Sequence, residues 1–314
     1  MCALQQHLDV VVSRATVLKA SWCSCVLFAV AVPTTGRRAI ADATSSKRGG
    51  VERPEEERRE RRRARPVPRG MAWRSHGTDN DSLVDALVRN RVLKTRKVID
   101  AMRRVDRGNY CVPFSGQNAY EDHPLPIGSN ATISAPHMHA ACLELFEQAD
   151  ATRRGAKVLD VGSGSGYLAA CFAELVTSEA FRNGEKDETG EGIVVGIEHI
   201  EELVVDSLKN VERDGKGRLL ETKRLMLFAG DGRNGYKPEA PYDAIHVGAS
   251  TPSVPDALLE QLAVGGRLVI PVGDSSGQAL KVIDRLEDGT FKRRTEMGVI
   301  YVPLTDRASQ LSLF

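Results

Sequence analysis

The stretch KVLDVGSGSGYLA, residues 157–169, decides the fold of this chain. It opens with an apolar run that contains Asp160, continues through a glycine–serine turn and ends in an amphipathic helix. A strand, a tight glycine turn and a helix N-terminus together form a common site for a nucleotide-like ligand, because the backbone approaches the ligand closely and free N–H groups point at it. The sequence therefore predicts a ligand site at this turn.

The spacing of the glycines narrows the class of ligand. A dinucleotide fingerprint requires Gly-x-Gly-x-x-Gly or Ala. Gly162, Gly164 and Gly166 are present, but Tyr167 stands where the last small residue should be. This weakens the case for a pyrophosphate, and an adenosyl ligand without phosphates, such as S-adenosylmethionine, fits better. A glycine turn that holds no ligand is the alternative.

Strand and helix patterns alternate along most of the chain. The periodicity predicts strands at 157–161, 192–197, 224–229, 242–247 and 266–272, with a closing pair at 279–286 and 293–302. It predicts helices at 79–104, 137–149, 166–176, 200–212 and 254–262, the first capped by Asn80 or Ser82. We therefore predict an α/β fold with a doubly wound, mostly parallel, Rossmann-like sheet, an antiparallel C-terminal edge and an N-terminal helical cap.

Two segments do not fit the alternation. The polar stretch 177–191 is predicted to be a surface insertion. Residues 106–136 are rich in Gly, Pro and Asn, and long ordered loops of this kind often line a binding site. We expect the second segment to contribute to the site.

Acidic residues follow the second and third predicted strands where each strand ends. Glu198 is suited to accept hydrogen bonds from ribose hydroxyls, and Asp231, followed by Gly232, from an adenine amino group. Ligands in such sheets bind beyond the carboxyl ends of the strands, so these residues and the glycine turn should share one site. A helix cap or a turn is the alternative for each acid taken alone.

The stretch ATISAPHMHA at 131–140 predicts a second part of the site. Thr132 and Ser134 place hydroxyls just before a helix start at Pro136, where backbone N–H groups are also free, and such donors suit a carboxylate. A helix-capping loop is the alternative. His137 and His139 are two residues apart and would lie on different helix faces, so we predict no metal site.

Composition argues against several classes of protein. Lys and Arg number 43 and Asp and Glu 42, so no charge excess points to a nucleic-acid partner. The six cysteines show no Cys-x-x-Cys spacing, which indicates a reduced, cytoplasmic protein rather than a disulfide frame or zinc site. No sustained heptad or large apolar helix face is present, and we expect a monomer.

Residues 1–70 differ from the rest. The apolar run at 21–33 is too short to span a bilayer comfortably, so we predict no stable membrane association. It could instead be the core of a signal or transit peptide that directs the chain to an organelle. Residues 51–65 mix arginine with glutamate, which favours a solvated linker over a basic targeting arm. We predict a disordered or targeting leader at 1–70 and one ligand-binding domain at 71–314.

Taken together, these segments resemble the protein-L-isoaspartate (D-aspartate) O-methyltransferase family. The resemblance runs from residue 71 to about Gln310. Its marks are ATISAPHMHA at 131–140, VLDVGSGSG at 158–166, GDGR at 230–233, PYDAIHVGA at 241–249, GGRLVIPVG at 265–273 and GVIYVPLTD at 298–306.

The resemblance implies a reaction and a set of site residues. The methyl group of S-adenosylmethionine would pass to the free α-carboxylate of L-isoaspartyl or D-aspartyl residues in damaged proteins and peptides, which starts repair through a succinimide. Ser134 would be the active-site serine. The cofactor site would comprise Ala131, Thr132, Ile133, Ser134, His139, Gly162, Ser163, Gly164, Glu198, His199, Asp231, Gly232, Thr305 and Gln310. A carboxylate is already ionised at neutral pH, so we expect a serine and backbone donors there instead of a His–Asp pair.

Three other functions compete with this one. The alternative from another class is a non-catalytic S-adenosylmethionine-binding module that recognises damaged proteins for a partner. A nicotinamide oxidoreductase is disfavoured by Tyr167 and by the lack of a Tyr-x-x-x-Lys pair. A small-molecule methyltransferase would share only the fold, and the 131–140 stretch argues against it.

Overall fold

The computed structural model describes residues 74–111, 118–185 and 190–312. The leader at 1–70 lies outside these ranges, so its disordered or targeting role stays a prediction. In the described part of the chain, no helix combines the length and the apolar character that crossing a bilayer requires.

Strands and helices follow one another along the chain in the order that the sequence analysis predicts. In chain order the strands are β1 (Leu125–Gly128), β2 (Ala131–Ile133), β3 (Lys157–Val161), β4 (Ile193–Glu198), β5 (Leu225–Ala229), β6 (Tyr242–Val247), β7 (Leu262–Asp274), β8 (Gly277–Arg285) and β9 (Phe291–Val299). The α-helices are α1 (Asn80–Arg89), α2 (Arg96–Arg104), α3 (Pro136–Glu147), α4 (Tyr167–Val176), α5 (Glu179–Arg182), α6 (Glu201–Arg213), α7 (Gly217–Glu221), α8 (Asp256–Glu260) and α9 (Arg307–Leu311).

Seven strands form one sheet in the order β5-β4-β3-β6-β7-β8-β9. The pairs from β5 to β7 are parallel, and β8 and β9 continue the sheet as an antiparallel edge. Chain order reverses direction at β3, so the loops after β3 and β6 diverge there and leave a crevice at the carboxyl ends of the strands. The predicted fold class is confirmed.

The central strand β3 is apolar on both faces because each face carries its own core. Val158 packs in a cluster with Met102 and Phe172 from the helices of one layer. Leu159 and Val161 pack in a second cluster with Leu258 of α8. Successive side chains of a strand point to opposite faces, so the run VLDV serves both layers, and Asp160 enters the first layer as its polar member.

The prediction of one helix over 79–104 is wrong, since α1 and α2 are separate. Lys94 and Thr95 donate their backbone N–H groups to the buried carboxylate of Glu144, at 2.7 and 2.8 Å, and this tertiary contact holds the break open. The N-cap is Asp79 rather than Asn80 or Ser82. Its carboxylate accepts from the Ser82 N–H at 2.8 Å, and the Ser82 hydroxyl accepts from the Asp79 N–H at 3.1 Å, which is a capping box.

Three other predicted segments need correction. The helix expected at 254–262 is shortened to α8, because Leu262 already belongs to β7 and pairs with Tyr242. The long loop at 106–136 contains the hairpin β1–β2. The stretch 177–191 is not only surface, because Phe181 of α5 is buried beneath the guanidinium of Arg218, 4.5 Å from the ring centre.

A bulge interrupts the last strand pair. Leu280 pairs with Met297, but the next residue of β8, Lys281, pairs with Thr295. Glu296 is therefore an extra residue in β9, and a bulge of this kind bends the strand and increases its local twist.

We expect Gly166→Ala to lower the free energy of unfolding by about 2 kcal/mol, from backbone strain plus a contact. Gly166 has φ +84°, and an added Cβ would lie 3.1 Å from Cβ of Ser207. The matched control is Gly215→Ala, where φ is +71° and no atom lies within 4 Å of the added Cβ. That variant should lose about 1 kcal/mol, from strain alone. Urea unfolding measures both, and equal losses would contradict the predicted contact.

Candidate active site

The glycine turn after β3 adopts a backbone that other residues disfavour. Gly162, Gly164 and Gly166 have φ of +72°, +51° and +84°, and a positive φ suits glycine because it has no Cβ. The turn bends onto the neighbouring strand, since the Gly162 N–H donates to the Ile197 carbonyl at 2.8 Å. The Gly164 N–H donates to Oε2 of Glu198 at 3.1 Å.

Glu198 ties the turn to the end of β4. Its side chain is buried, and its Oε1 accepts from the Ile200 N–H at 3.1 Å and lies 3.2 Å from Nδ1 of His199. The hydrogen bond to Glu198 raises the pKa of His199. The structure thus places Glu198 and His199 beside the glycine turn, and a contact of either with a ribose stays a prediction.

Gln310 brings the C-terminal segment to the same place. It is buried in α9, donates from Nε2 to the Ser129 carbonyl at 2.8 Å, and accepts at its own carbonyl from Nδ2 of Asn130 at 2.9 Å. These two bonds fix α9 against the turn of the hairpin β1–β2. The Gln310 amide also adjoins His199 and contributes to its raised pKa.

Asp231 and Gly232 follow β5, beside the end of β4. The Arg233 guanidinium lies 2.7 Å from the Asp231 carboxylate, and this bond lowers the pKa of Asp231. The Asp231 side chain is 40% exposed and also acts electrostatically on His199. Gly232 leaves no room for a side chain, because an added Cβ would collide with Val161 at the end of β3.

Two concave regions meet at the carboxyl ends of the central strands. The first, here called the turn cleft, is lined by Thr132, Ile133, Ser134, His139, Asp160, Gly162, Ser163, Gly164, Ser165, Tyr167, Leu168, His246 and Gly248. The second, here called the surface groove, has a volume of about 660 Å³ and is lined by Pro124, Thr132, Ser134, Ala135, His137, Met138, Gly248, Gly277, Gln278, Gly298, Val299, Ile300, Tyr301 and Val302. Ser134 lines both, with Thr132 and Gly248.

The structure gathers most of the predicted site residues but not all. Seven of them line the turn cleft, namely Thr132, Ile133, Ser134, His139, Gly162, Ser163 and Gly164. Glu198, His199, Asp231 and Gln310 adjoin its glycine turn or one another, as described above. Ala131, Gly232 and Thr305 line neither region.

A buried His–Asp pair beneath the turn cleft was missed by the sequence analysis. Nδ1 of His246 lies 2.7 Å from Oδ1 of Asp160, and both side chains are buried. Burial by itself would lower the pKa of His246, but hydrogen bonds with Asp160 and Cys142 raise it to about 10. The two residues face each other in register on β3 and β6. A polar residue at a buried position in each of two neighbouring strands was the signal that could have found the pair.

A second pair of the same kind lies at the start of α3. The Asp122 carboxylate is fully buried and accepts from the backbone N–H of His137 at 3.0 Å, from Nδ1 of the same residue at 2.7 Å, and from the Ser75 N–H at 3.3 Å. Burial alone would raise the pKa of Asp122, but the bonds with His137 lower it. Two His–Asp pairs that the sequence analysis did not anticipate therefore border the site, and the expected use of a serine and backbone donors for the carboxylate stays a prediction.

His139 is the remaining buried imidazole of the turn cleft. Burial lowers its pKa well below the usual 6.5, its Nδ1 makes no hydrogen bond, and its ring lies 5.0 Å from that of Tyr167. The ring is therefore neutral at pH 7. Among the described residues, no group of three or more His, Cys, Asp or Glu side chains is placed to hold a metal ion.

The chain is similar to known proteins over the region just described. The family model "Protein-L-isoaspartate(D-aspartate) O-methyltransferase" matches residues 78–309. A protein-L-isoaspartate O-methyltransferase of Triticum aestivum is 51% identical over 232 residues, which cover 74% of this chain and 94% of the wheat protein. The Caenorhabditis elegans protein of the same name is 47% identical over 241 residues, covering 76% of this chain and 98% of that protein.

A solved structure of a protein from the same family is also similar to this chain. A protein-L-isoaspartate O-methyltransferase from Plasmodium falciparum, crystallised with S-adenosyl-L-homocysteine, superposes with a TM-score of 0.63 at 32% identity. The match covers 73% of this chain and 99% of that one.

We expect His246 to stay protonated through neutral pH and to titrate near pH 10 in a histidine NMR titration. Because folding raises this pKa from 6.5, the pair stabilises the fold fully below about pH 6.5, and the contribution is lost as the pH rises through about 10. Asp160→Asn should drop the pKa of His246 below its usual range, since burial then dominates. Titration of wild-type His246 near 6.5 would contradict this account.

Proposed function

The chain belongs to the protein-L-isoaspartate(D-aspartate) O-methyltransferase family, and on this premise we propose that Ser134 marks the point of methyl transfer. The protein is an S-adenosylmethionine-dependent methyltransferase that acts on isoaspartyl residues in proteins. One observation carries the placement of the reaction: Ser134 lines both the turn cleft and the surface groove. A cofactor in one and a peptide in the other would meet at this residue.

The turn cleft suits the cofactor. Positive-φ glycines let a ligand approach the backbone at Gly162–Gly164, where we place the methionine end. Oδ2 of Asp160 and Nδ1 of His139 are buried in the same cleft without hydrogen-bond partners, and such a carboxylate oxygen suits an ammonium group. Glu198 and His199 would hold the ribose, and Asp231 with Gly232 the adenine.

The remaining predicted residues would border the cofactor. We place Ala131 to Ser134 beside its methionine end, and Thr305 and Gln310 on the C-terminal segment that closes the site. The bonds of Gln310 to the hairpin β1–β2 support a closing role for α9.

The surface groove suits an extended peptide. Ile300 is 96% exposed and Val302 41% exposed along one wall, where they offer apolar contact to a substrate chain. His137 and Gln278 line the same groove and supply polar groups. An opening of this size and mixed character accommodates a peptide segment with its carboxylate directed at Ser134.

The reaction needs positioning more than proton transfer. The cofactor supplies an electrophilic methyl group on a sulfonium sulfur. One carboxylate oxygen of the substrate forms a new bond to that methyl carbon as the sulfur–methyl bond breaks, so an ester and a neutral thioether result and no proton is released. A carboxylate of pKa near 4 is ionised at pH 7. Ser134 therefore orients the carboxylate as a hydrogen-bond donor, and the surrounding walls exclude water.

The ester product initiates repair without further help from the protein. The next backbone nitrogen attacks the ester carbonyl, methanol leaves, and the resulting succinimide reopens in part to normal aspartate.

We propose that D-aspartyl residues are accepted as well. The family match over 78–309 supports residues 71–314 as the catalytic unit. The balanced charge supports a reaction without nucleic acid. Our proposal that the protein is a cytoplasmic monomer rests on the sequence alone.

The function is tested with the full chain, labelled S-adenosylmethionine and two matched peptides, one with isoaspartate and one with aspartate. Base-labile label on the isoaspartyl peptide alone is the expected result. Cofactor binding without transfer to either peptide would favour the non-catalytic recognition module.

We expect Ser134→Ala to impair the reaction of the peptide and Glu198→Gln to weaken binding at the cofactor site. Ser134→Ala should lower kcat/KM for the peptide about 100-fold, since the carboxylate loses its donor and its alignment. The same variant should not raise the dissociation constant of S-adenosylhomocysteine. Glu198→Gln should raise the dissociation constant of S-adenosylhomocysteine about tenfold, as one charged hydrogen bond is lost. Steady-state kinetics measure kcat/KM for the peptide, and calorimetry measures the dissociation constant of S-adenosylhomocysteine. An acyl-serine trapped on the wild-type protein would overturn the positioning role of Ser134.

A further inference from the structure

The turn that joins α1 to α2 carries a concentration of positive charge. Residues 86–99 contain five basic side chains and no carboxylate. Two of the five are paired with acids from outside this stretch. The other three, Arg89, Arg91 and Lys94, are exposed and form no ion pair with any residue that the structure describes. These three charges are therefore available to a partner.

The backbone of this turn is fixed at the end of α1. The Arg91 N–H donates to the Val88 carbonyl and the Val92 N–H to the Leu87 carbonyl, both at 2.9 Å, which is a Schellman motif. Arg91 has φ +59° at a position that usually holds glycine. An arginine there costs about 1 kcal/mol in backbone strain. Since its guanidinium forms no ion pair within the described chain, the fold gains no such bond in return.

A tertiary contact brings a fourth cation to the turn. Nδ2 of Asn90, the residue between Arg89 and Arg91, donates to the Ser75 hydroxyl at 2.9 Å. Arg74 directly precedes Ser75, is exposed, and has no ion pair among the described residues. The four cations, here called the basic turn, are Arg74, Arg89, Arg91 and Lys94.

The carboxylates that contact this region are already used inside the fold. Glu144 is buried and accepts from the N–H groups of Lys94 and Thr95 and from the Thr95 hydroxyl. Asp122 is fully buried and accepts from the Ser75 N–H at 3.3 Å. The exposed face of the basic turn therefore stays positive, and such a face attracts an anionic partner.

The basic turn is linked to the wall of the surface groove. Asp122, which accepts from the Ser75 N–H, also accepts from Nδ1 of His137 at 2.7 Å. His137 lines the groove, and so does Pro124, two residues after Asp122. One buried carboxylate thus connects the residue beside Arg74 to a residue of the groove. A protein segment that occupies the groove can reach the basic turn with the chain that continues beyond it.

We propose that the basic turn is a docking surface for an acidic segment of the protein whose isoaspartyl residue occupies the groove. The inference rests on the proposed function and names the class of substrate that the site favours. The chain's own leader fits less well, because residues 51–65 hold seven arginines against five glutamates and carry the same sign of charge. Attraction between opposite charges on exposed surfaces speeds association and weakens as salt is added.

The test uses the full chain and two isoaspartyl peptides that differ only in a run of four residues, glutamate in one and serine in the other. A spacer of about six residues, roughly 20 Å when extended, separates the run from the isoaspartate, and the run is placed on each side in turn. At low ionic strength the glutamate peptide should have about tenfold higher kcat/KM on one of the two sides. In about 0.5 M salt this preference should vanish.

Two double variants locate the preference on the surface. Arg89→Gln with Arg91→Gln should cut it to about threefold or less and leave kcat/KM for the serine peptide unchanged. The matched control is Lys223→Gln with Lys237→Gln. Both lysines are exposed, form no ion pair with a described residue, and precede β5 and β6 at the amino ends of the strands, opposite the site. The control should keep the wild-type preference, and equal effects of the two double variants would overturn the proposal.

A binding readout separates this inference from the proposed function. A fluorescent glutamate peptide with ordinary aspartate should bind the full chain in an anisotropy titration, and should bind the double arginine variant more weakly. This result in a protein that methylates no peptide would support the docking surface and refute the reaction. Methylation of the glutamate and serine peptides with equal kcat/KM would overturn the docking surface alone. A DNA oligonucleotide of equal charge that bound more tightly through the same arginines would overturn the choice of an acidic protein segment.

Discussion

The site depends on the hydrogen bond from the Gly164 N–H to Glu198, which joins the turn after β3 to the end of β4. The turn can present that N–H because its glycines take positive φ. The same carboxylate fixes the start of α6 through Ile200. One buried acid thus sets the relative position of the loops that follow the two strands, and the cleft between them inherits its shape from this contact.

The sequence predicted the parts of the fold that follow from local patterns. The strands β3 and β6 are found at their predicted bounds, because continuous apolar runs flanked by turns leave little choice. The break between α1 and α2 was missed because it depends on Glu144, about fifty residues away along the chain. Likewise, nothing local marks Leu262 as strand rather than helix, since its partner Tyr242 lies on another element.

The same distinction separates the predicted from the missed site residues. Residues in a recognisable motif, such as Ser134 and the glycine turn, were found from the sequence and its resemblance to a family. Asp160 and His246 were missed because each sits in a strand whose pattern indicates only burial. Their pairing becomes visible with the strand register, which places β3 beside β6. A buried polar pair on neighbouring strands depends on tertiary structure, and the sequence shows each residue of the pair without showing that the two are in contact.

The extra residue Glu296 in β9 constrains how this family member can change in evolution. A bulge bends its strand and increases the local twist, so loss of that residue would change the direction in which the chain runs on toward Tyr301. An uncompensated change of length between the bulge and Tyr301 would therefore displace Tyr301 from the wall of the surface groove. The hairpin turn at Asp288–Gly289, before the bulge, is free of this constraint. Variation in the length of this hairpin should accumulate at its tip and leave the path from Glu296 to Tyr301 uniform.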